Sequence, residues 1–151
     1  MDRKEISEIR QNVFLTEANA LNTPNFLFRK NIRTVINVSD LPHRRFSTAA
    51  MPIEWIRIDR SNMNAMHWIN LGADKIHDCL KNNTPVIVYC ENGIHFSPLI
   101  CIGYQIKYCR MDTNEAIHYV KKKRNSVVVT LHFIKELREF EQNCREAENG
   151  N

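Results

Sequence analysis

The stretch Val86-Ile-Val-Tyr-Cys-Glu-Asn-Gly-Ile-His-Phe-Ser-Pro98 constrains this chain more than any other. It runs from an apolar β-branched segment through a polar loop into an apolar helical one, with a cysteine at the first join. β-branched residues leading to Cys90 favour a strand. Gly93 permits a backbone turn that other residues resist, Ser97 can cap a helix, and Pro98 fits a first helical turn. A loop of successive N–H groups that opens a helix is an anion site, since unsatisfied donors and the helix dipole both favour negative charge. The same field favours a thiolate at its rim, which makes Cys90 a candidate nucleophile; the competing reading is an inert buried cysteine at a strand end. A loop that holds a dianion for such a nucleophile needs a cation near its end, and position 96 is phenylalanine.

Turn signals divide the rest of the chain. Ile6 and Ile9, then Val13-Phe-Leu15, are pieces of strand length, and Asn22-Thr-Pro24 offers a helix start before Phe26-Leu-Phe28. Thr34 to Val38 predicts a strand ended by Ser39-Asp-Leu-Pro42, and the basic stretch through His43-Arg-Arg45 to Pro52 reads as an exposed loop. Ile53 to Ile58 alternates imperfectly as a strand, and Asp59-Arg-Ser-Asn62 breaks it, so Asp59 falls just past a strand end. From the residues alone Asp59 is a turn or cap aspartate.

Between His67 and Asn82, the residues Trp68, Leu71, Ile76, Cys79 and Leu80 share one helical face. Leu99 to Ile106 is apolar nearly all round, the mark of a helix buried on several sides. Asp112 with Glu115 predicts a capping box for a helix carrying Ala116, Ile117 and Val120, which ends in a solvated charge cluster, Lys121 to Arg124. Thr130 is the expected cap of a last helix with the stripe Phe133, Ile134, Leu137 and Phe140. A single domain is expected over residues 1–146, with 147–151 as a flexible tail. Strands alternate with helices before helices take over, which gives an α/β class with a central sheet covered by helices. Ligands on such sheets bind beyond the carboxyl ends of strands, where Cys90 lies.

With 151 residues and 43% hydrophobic content, one core forms without staples or metal. The net charge of +4, spread over both signs, favours a solvated surface over a nucleic-acid face, and no RNP-like or zinc-finger spacing argues otherwise. Five cysteines with no pairing pattern, and no leader-like apolar stretch near Met1, predict a reducing compartment, cytoplasmic or nuclear. No apolar run approaches the roughly 18 residues of a membrane span. The histidines show no metal-ligand spacing, so neither metal nor cofactor is expected.

Val86-Ile-Val-Tyr-Cys-x-x-Gly-x-x-Phe-Ser97 resembles the signature His-Cys-x5-Arg-Ser of the cysteine-based dual-specificity protein phosphatases. Val13-Phe-Leu15 with Ala18 and Ala20, Ile32 with Val35 to Ser39, Ile58-Asp59 with Trp68, Ala116 with Val120 and Arg124, and Phe140-Glu141 stand in the same order. The likeness covers residues 6 to 142. It implies a dual-specificity phosphatase-like fold, a central mixed sheet of about five strands flanked by helices, with the cysteine loop between the last strand and a buried helix.

In that family the cysteine attacks phosphorus, an arginine and the loop N–H groups hold the oxygens, an aspartate protonates the leaving group, and a serine assists the thiolate. The resemblance assigns Cys90 to the nucleophile, Asp59 to the general acid and Ser97 to the loop serine. Glu91, Asn92, Gly93, Ile94, His95 and Phe96 become the phosphate-binding loop. Two positions depart from the pattern: Tyr89 replaces the histidine and Phe96 the arginine. By analogy, losing one neutral oxyanion contact costs about 10²–10³ in rate and losing a transition-state arginine about 10³–10⁵.

The resemblance therefore implies a catalytically impaired member, a pseudophosphatase with little or no hydrolysis. It would regulate phosphorylation signalling by binding a protein, such as a kinase or its phosphorylated substrate. The alternatives are an active but weak or atypical cysteine phosphatase of phosphoproteins using His95 as replacement cation, or one acting on RNA 5′-phosphates or phosphoinositides, and a scaffold held through the basic patches.

Overall fold

The computed structural model describes residues 6–22, 25–42 and 52–150, and within them strands form where β-branched and aromatic residues run together. The strands are β1 (Ile6–Arg10), β2 (Val13–Glu17), β3 (Thr34–Asn37), β4 (Glu54–Arg57) and β5 (Val86–Cys90). The helices are α1 (Asn25–Arg29), α2 (Ala65–Lys81), α3 (Ser97–Tyr108), α4 (Thr113–Lys123) and α5 (Leu131–Asn149). Two 3-10 turns, Ala18–Leu21 and Arg60–Asn62, follow β2 and β4.

β5 is buried along its whole length, so it takes the middle of a mixed sheet ordered β1-β2-β5-β3-β4. Among the described residues only β1 and β2 pair antiparallel; β2, β5, β3 and β4 are mutually parallel, with Glu17 opposite Cys90 and Asn37 opposite Tyr89. All the parallel strands therefore deliver their carboxyl ends to one edge, and the cysteine arrives at its centre. Alternation along β5 sends Val86, Val88 and Cys90 into the core shared with α2, α3, α4 and α5. Ile87 and Tyr89 point into a smaller core on the other face, beside Phe14, Leu27 and Val35.

The expected strands and longer helices form. Asp112 and Glu115 make the capping box in both directions, and Thr130 accepts from the Phe133 N–H. Three expectations are corrected. Leu71 is exposed, and Ile69, Gly72 and Ala73 bury that part of α2 instead. Arg124 is buried, not solvated. The last helix continues to Asn149, into the segment assigned to the tail. The Thr23-Pro24 helix start and the His43–Arg45 loop lie outside the described residues. No helix among the described residues is long and apolar enough to cross a membrane, and all five cysteines are free.

α3 is the hub of the helical layer, buried from Ser97 to Gln105 and at Ile106. It reaches α2 closely because Gly103 has no side chain where a Cβ would overlap Ile69 Cγ2. Gly103→Ala is predicted to destabilise the domain by about 1–3 kcal/mol despite the better helix propensity of alanine. Urea unfolding reads this, and an unchanged midpoint would mean that the two helices separate without cost.

Candidate functional site

The loop after β5 is shaped by its carbonyl side. Gly93 has φ +67°, and a Cβ there would lie 2.9 Å from the Thr16 carbonyl carbon and 2.7 Å from Arg124 Nη2. No other residue fits that backbone without displacing β2 or a buried side chain. The Arg124 Nε donates to the Gly93 carbonyl at 2.9 Å and its Nη1 to Ser7 Oγ at 3.1 Å. Ala18 N–H donates to the Glu91 carbonyl, and Val128 N–H to the Ile94 carbonyl. With these carbonyls engaged outward, the loop is held by the end of β2 and by the segments after α4.

Inside the loop, Cys90 Sγ lies 3.1 Å from Ser97 Oγ and is fully buried. Ser97 corrects one expectation, because its hydroxyl serves the thiol and caps nothing. Phe96 holds the N-cap position of α3 with no side-chain bond, and Ser97 and Pro98 open the helix. Cys101, on the first turns of α3, is pushed up to about 12 by burial, with the neighbouring charge of Cys90 adding to the shift. It stays a thiol and does not compete with Cys90.

Asn92 folds back over the loop. Its Oδ1 accepts from the Ile94 N–H at 2.9 Å and lies 3.8 Å from Cys90 Sγ, so one of the loop's N–H donors is engaged by an uncharged oxygen. Its Nδ2 is 3.2 Å from His95 Nδ1. That contact ties the His95 ring to a side chain of the loop itself. Glu91 faces outward and accepts from the Asp40 N–H at 3.2 Å.

The Phe96 ring packs against the helices. It meets Trp68 of α2 and Phe133 of α5 edge-on, with centroids 6.4 and 6.2 Å away. Its face carries the Arg60 guanidinium, whose Cζ lies 3.6 Å from the ring centroid. Such a stack is worth about 0.5–2 kcal/mol depending on how dry it is. Tyr89, the second departure from the family pattern, is buried in the smaller core on the other side of the sheet from Cys90.

Asp59 stands just past β4, as expected, and caps the 3-10 turn. Its Oδ1 accepts from the Ser61 hydroxyl at 2.6 Å and the Ser61 N–H at 3.0 Å, and its Oδ2 from Asn62 Nδ2 at 2.7 Å. The Ser61 hydroxyl is the main reason that its carboxyl is held below the usual aspartate range, with the Ser61 N–H next. A carboxylate held ionised in this way is a poor proton donor near neutral pH.

The structure thus brings Cys90, Asn92, Gly93, Ile94, His95, Phe96 and Ser97 into one loop. Asp59 reaches that loop through its neighbour Arg60. Tyr89 is placed elsewhere. Three contributors went unread in the sequence: Arg124, Arg60 and the acceptor role of Asn92. Arg124 closed a run of lysines and looked like surface charge, and Arg60 lay inside a turn signal; only the pairing of distant segments reveals either. Asn92 two residues before Ile94 is the spacing of an Asx turn, a local signal that was available.

Comparison with known proteins agrees with this geometry. Residues 13–143 match the family model described as dual specificity phosphatase, catalytic domain. A protein of Invertebrate iridescent virus 6 called putative tyrosine phosphatase 123R is 30% identical over 141 residues, covering 91% of this chain and 93% of its own length. Human dual specificity protein phosphatase 5 is 30% identical over 138 residues, covering 89% of this chain but 35% of that protein, so this chain spans about a third of it. Among solved structures, human DUSP28 superposes with a TM-score of 0.80 at 16% identity over 95% of this chain and 97% of that one. The human tyrosine phosphatase-like serine/threonine/tyrosine-interacting protein gives 0.79 at 20% identity over 93% and 97%. With its family model matched across most of its length and the cysteine loop built at the centre of the matching fold, this chain belongs to the dual-specificity phosphatase family.

Proposed function

We propose that this domain recognises phosphorylated protein partners through the loop Cys90 to Ser97 and hydrolyses them little or not at all, so that it acts as a regulator in phosphorylation signalling. The observation that carries this reading is Phe96. The loop keeps its glycine turn, its helix N-terminus and a thiol 3.1 Å from Ser97 Oγ, all of which favour an anion. Its last position, however, bears a ring packed on Trp68 and Phe133, with no donor to follow charge onto the equatorial oxygens as the P–O bond breaks. Ground-state binding then survives while the interaction specific to the transition state is lost. Asp59 supports the same conclusion from another element, since a carboxylate held ionised by Ser61 and Asn62 does not protonate a leaving group well.

A second reading, an active and atypical cysteine phosphatase, is favoured by the name of the viral relative, which covers nearly all of this chain at 30% identity. The chemistry distinguishes the two. Purified protein is predicted to hydrolyse an aryl phosphate at least about 10²-fold more slowly than active family members. Turnover within about tenfold of those enzymes and abolished by Cys90→Ser would establish the second reading. Titration calorimetry with a phosphotyrosine peptide and with inorganic phosphate is predicted to show binding. Absence of both would leave only a scaffold whose loop is idle.

A further prediction concerns repair. Tyr89→His with Phe96→Arg is expected to raise aryl phosphate hydrolysis at least about tenfold, a small part of what a positioned arginine supplies. A folded double variant with no gain would locate the defect beyond these two positions, with the held carboxylate of Asp59 the next suspect.

A further inference from the structure

We propose that Arg60, carried on the turn after β4, is the cation that grips the phosphoryl group in this site, in place of the arginine absent from position 96. The inference rests on the phosphate-binding reading above and names the residue that would make it work.

A phosphoryl dianion at the loop needs a positive partner. Arg124 is committed beneath the loop to the Gly93 carbonyl and Ser7 Oγ, and His95 is engaged with Asn92. Arg60 is differently placed. Its guanidinium stacks on Phe96, the residue that closes the loop and opens α3. Its Nε donates to the Val38 carbonyl at 2.8 Å, and Val38 in turn donates its N–H to the carbonyl of Tyr89, immediately before Cys90. Its Nη2 is 3.4 Å from the Asp40 carboxylate, and the Asp40 N–H is bonded to the Glu91 side chain. Of the neighbours of the guanidinium, Phe96 belongs to the loop, Asp40 is bonded to Glu91 of the loop, and Val38 is bonded to the strand residue just before Cys90.

The head group is also preorganised. The side chain is 16% exposed, with its plane fixed by the Phe96 face and its Nε spent on a backbone carbonyl. What remains is the pair of terminal nitrogens, the fork that matches two oxygens of a phosphoryl group. Nη1 has no protein acceptor among the described residues, and Nη2 holds only Asp40, whose side chain is 76% exposed. An exposed, long ion pair of this kind is weak, so a dianion held by the loop N–H groups displaces it. Asp40 meets one nitrogen of the fork, Nη2, at 3.4 Å, with a carboxylate oxygen where a phosphoryl oxygen would bind. On this account Phe96 supplies the flat surface on which a guanidinium from another element is held, a role that suits arginine and not lysine.

The test is titration calorimetry of the full chain with inorganic phosphate and with a phosphotyrosine peptide, and thermal melting of each variant checks its fold. Arg60→Gln is expected to weaken both ligands at least about tenfold, the effect of removing a charged hydrogen-bond partner. Arg60→Lys keeps the charge but loses the planar fork, and is expected to lose about threefold or more. Asp40→Asn releases the fork and is expected to tighten binding. Phosphate binding by the unaltered protein that stays within about twofold in Arg60→Gln would overturn the role of Arg60 and leave the phosphate-binding reading standing. No phosphate binding by the unaltered protein would overturn both. If Arg60→Gln fails to fold, Arg60→Lys and Asp40→Asn decide, and unchanged affinity in both would overturn the proposal.

Discussion

A buried guanidinium holds the loop in shape. Arg124 leaves the end of α4, is 3% exposed, and joins the Gly93 carbonyl to the Ser7 hydroxyl of β1. Burying such a charge is costly unless hydrogen bonds replace its water, and here a loop carbonyl and a strand hydroxyl supply them. The dependence runs both ways. Gly93 can take its positive φ with its carbonyl toward Arg124 only because no Cβ intrudes on Thr16 or the guanidinium itself. The curvature of the loop is thus held from outside, by β1, β2 and the end of α4.

That support from outside explains how the loop keeps its form with phenylalanine where the family pattern has arginine. On the proposed reading, the groups that would hold an anion are backbone N–H donors and a helix N-terminus, and these follow from the strand-to-helix path and from Arg124. The group that accelerates phosphoryl transfer is a side chain, and a side chain can be exchanged at an element end with little effect on packing. Phe96 is in fact absorbed by the fold, because its edges fit Trp68 and Phe133. On the proposed reading, the exchange therefore acts on rate much more than on stability.

Local and periodic features were legible in the sequence because their causes are local. Asp112 and Glu115 satisfy each other's backbone within four residues, and the burial of Val86 to Cys90 follows from an unbroken apolar run. Asp59 past a strand end was legible for the same reason. Leu71 misled because a helical face is wider than the buried stripe, and the close approach of α3, with Ile100 at Gly72 and Gly103 at Ile69, sets which part of α2 is buried. Ser97 misled because it had two possible partners, a backbone N–H and a thiol, and only the bend of the loop decides between them. The contacts of Arg124 and Arg60 could not be read from the sequence, since each reaches residues more than twenty positions away.

The two departures from the family pattern carry unequal weight once the strand is built. A pleated strand sends neighbouring side chains to opposite faces, so Tyr89, beside Cys90 in sequence, lies across the sheet from it, beside Phe14 and Leu21. A substitution there reaches the thiol only through the backbone that both share. Phe96 is six residues from the cysteine, yet the loop bends it back to the helix that carries Ser97, and Ser97 touches the thiol. Sequence adjacency understates its influence and overstates that of Tyr89. A phenylalanine at this corner also differs from a small residue, which would leave the guanidinium of Arg60 without a surface to lie on. The ring removes one cation from the loop's own chain and fixes another beside it, so the electrostatic character of the site depends on where Arg60 is held as much as on what position 96 lacks.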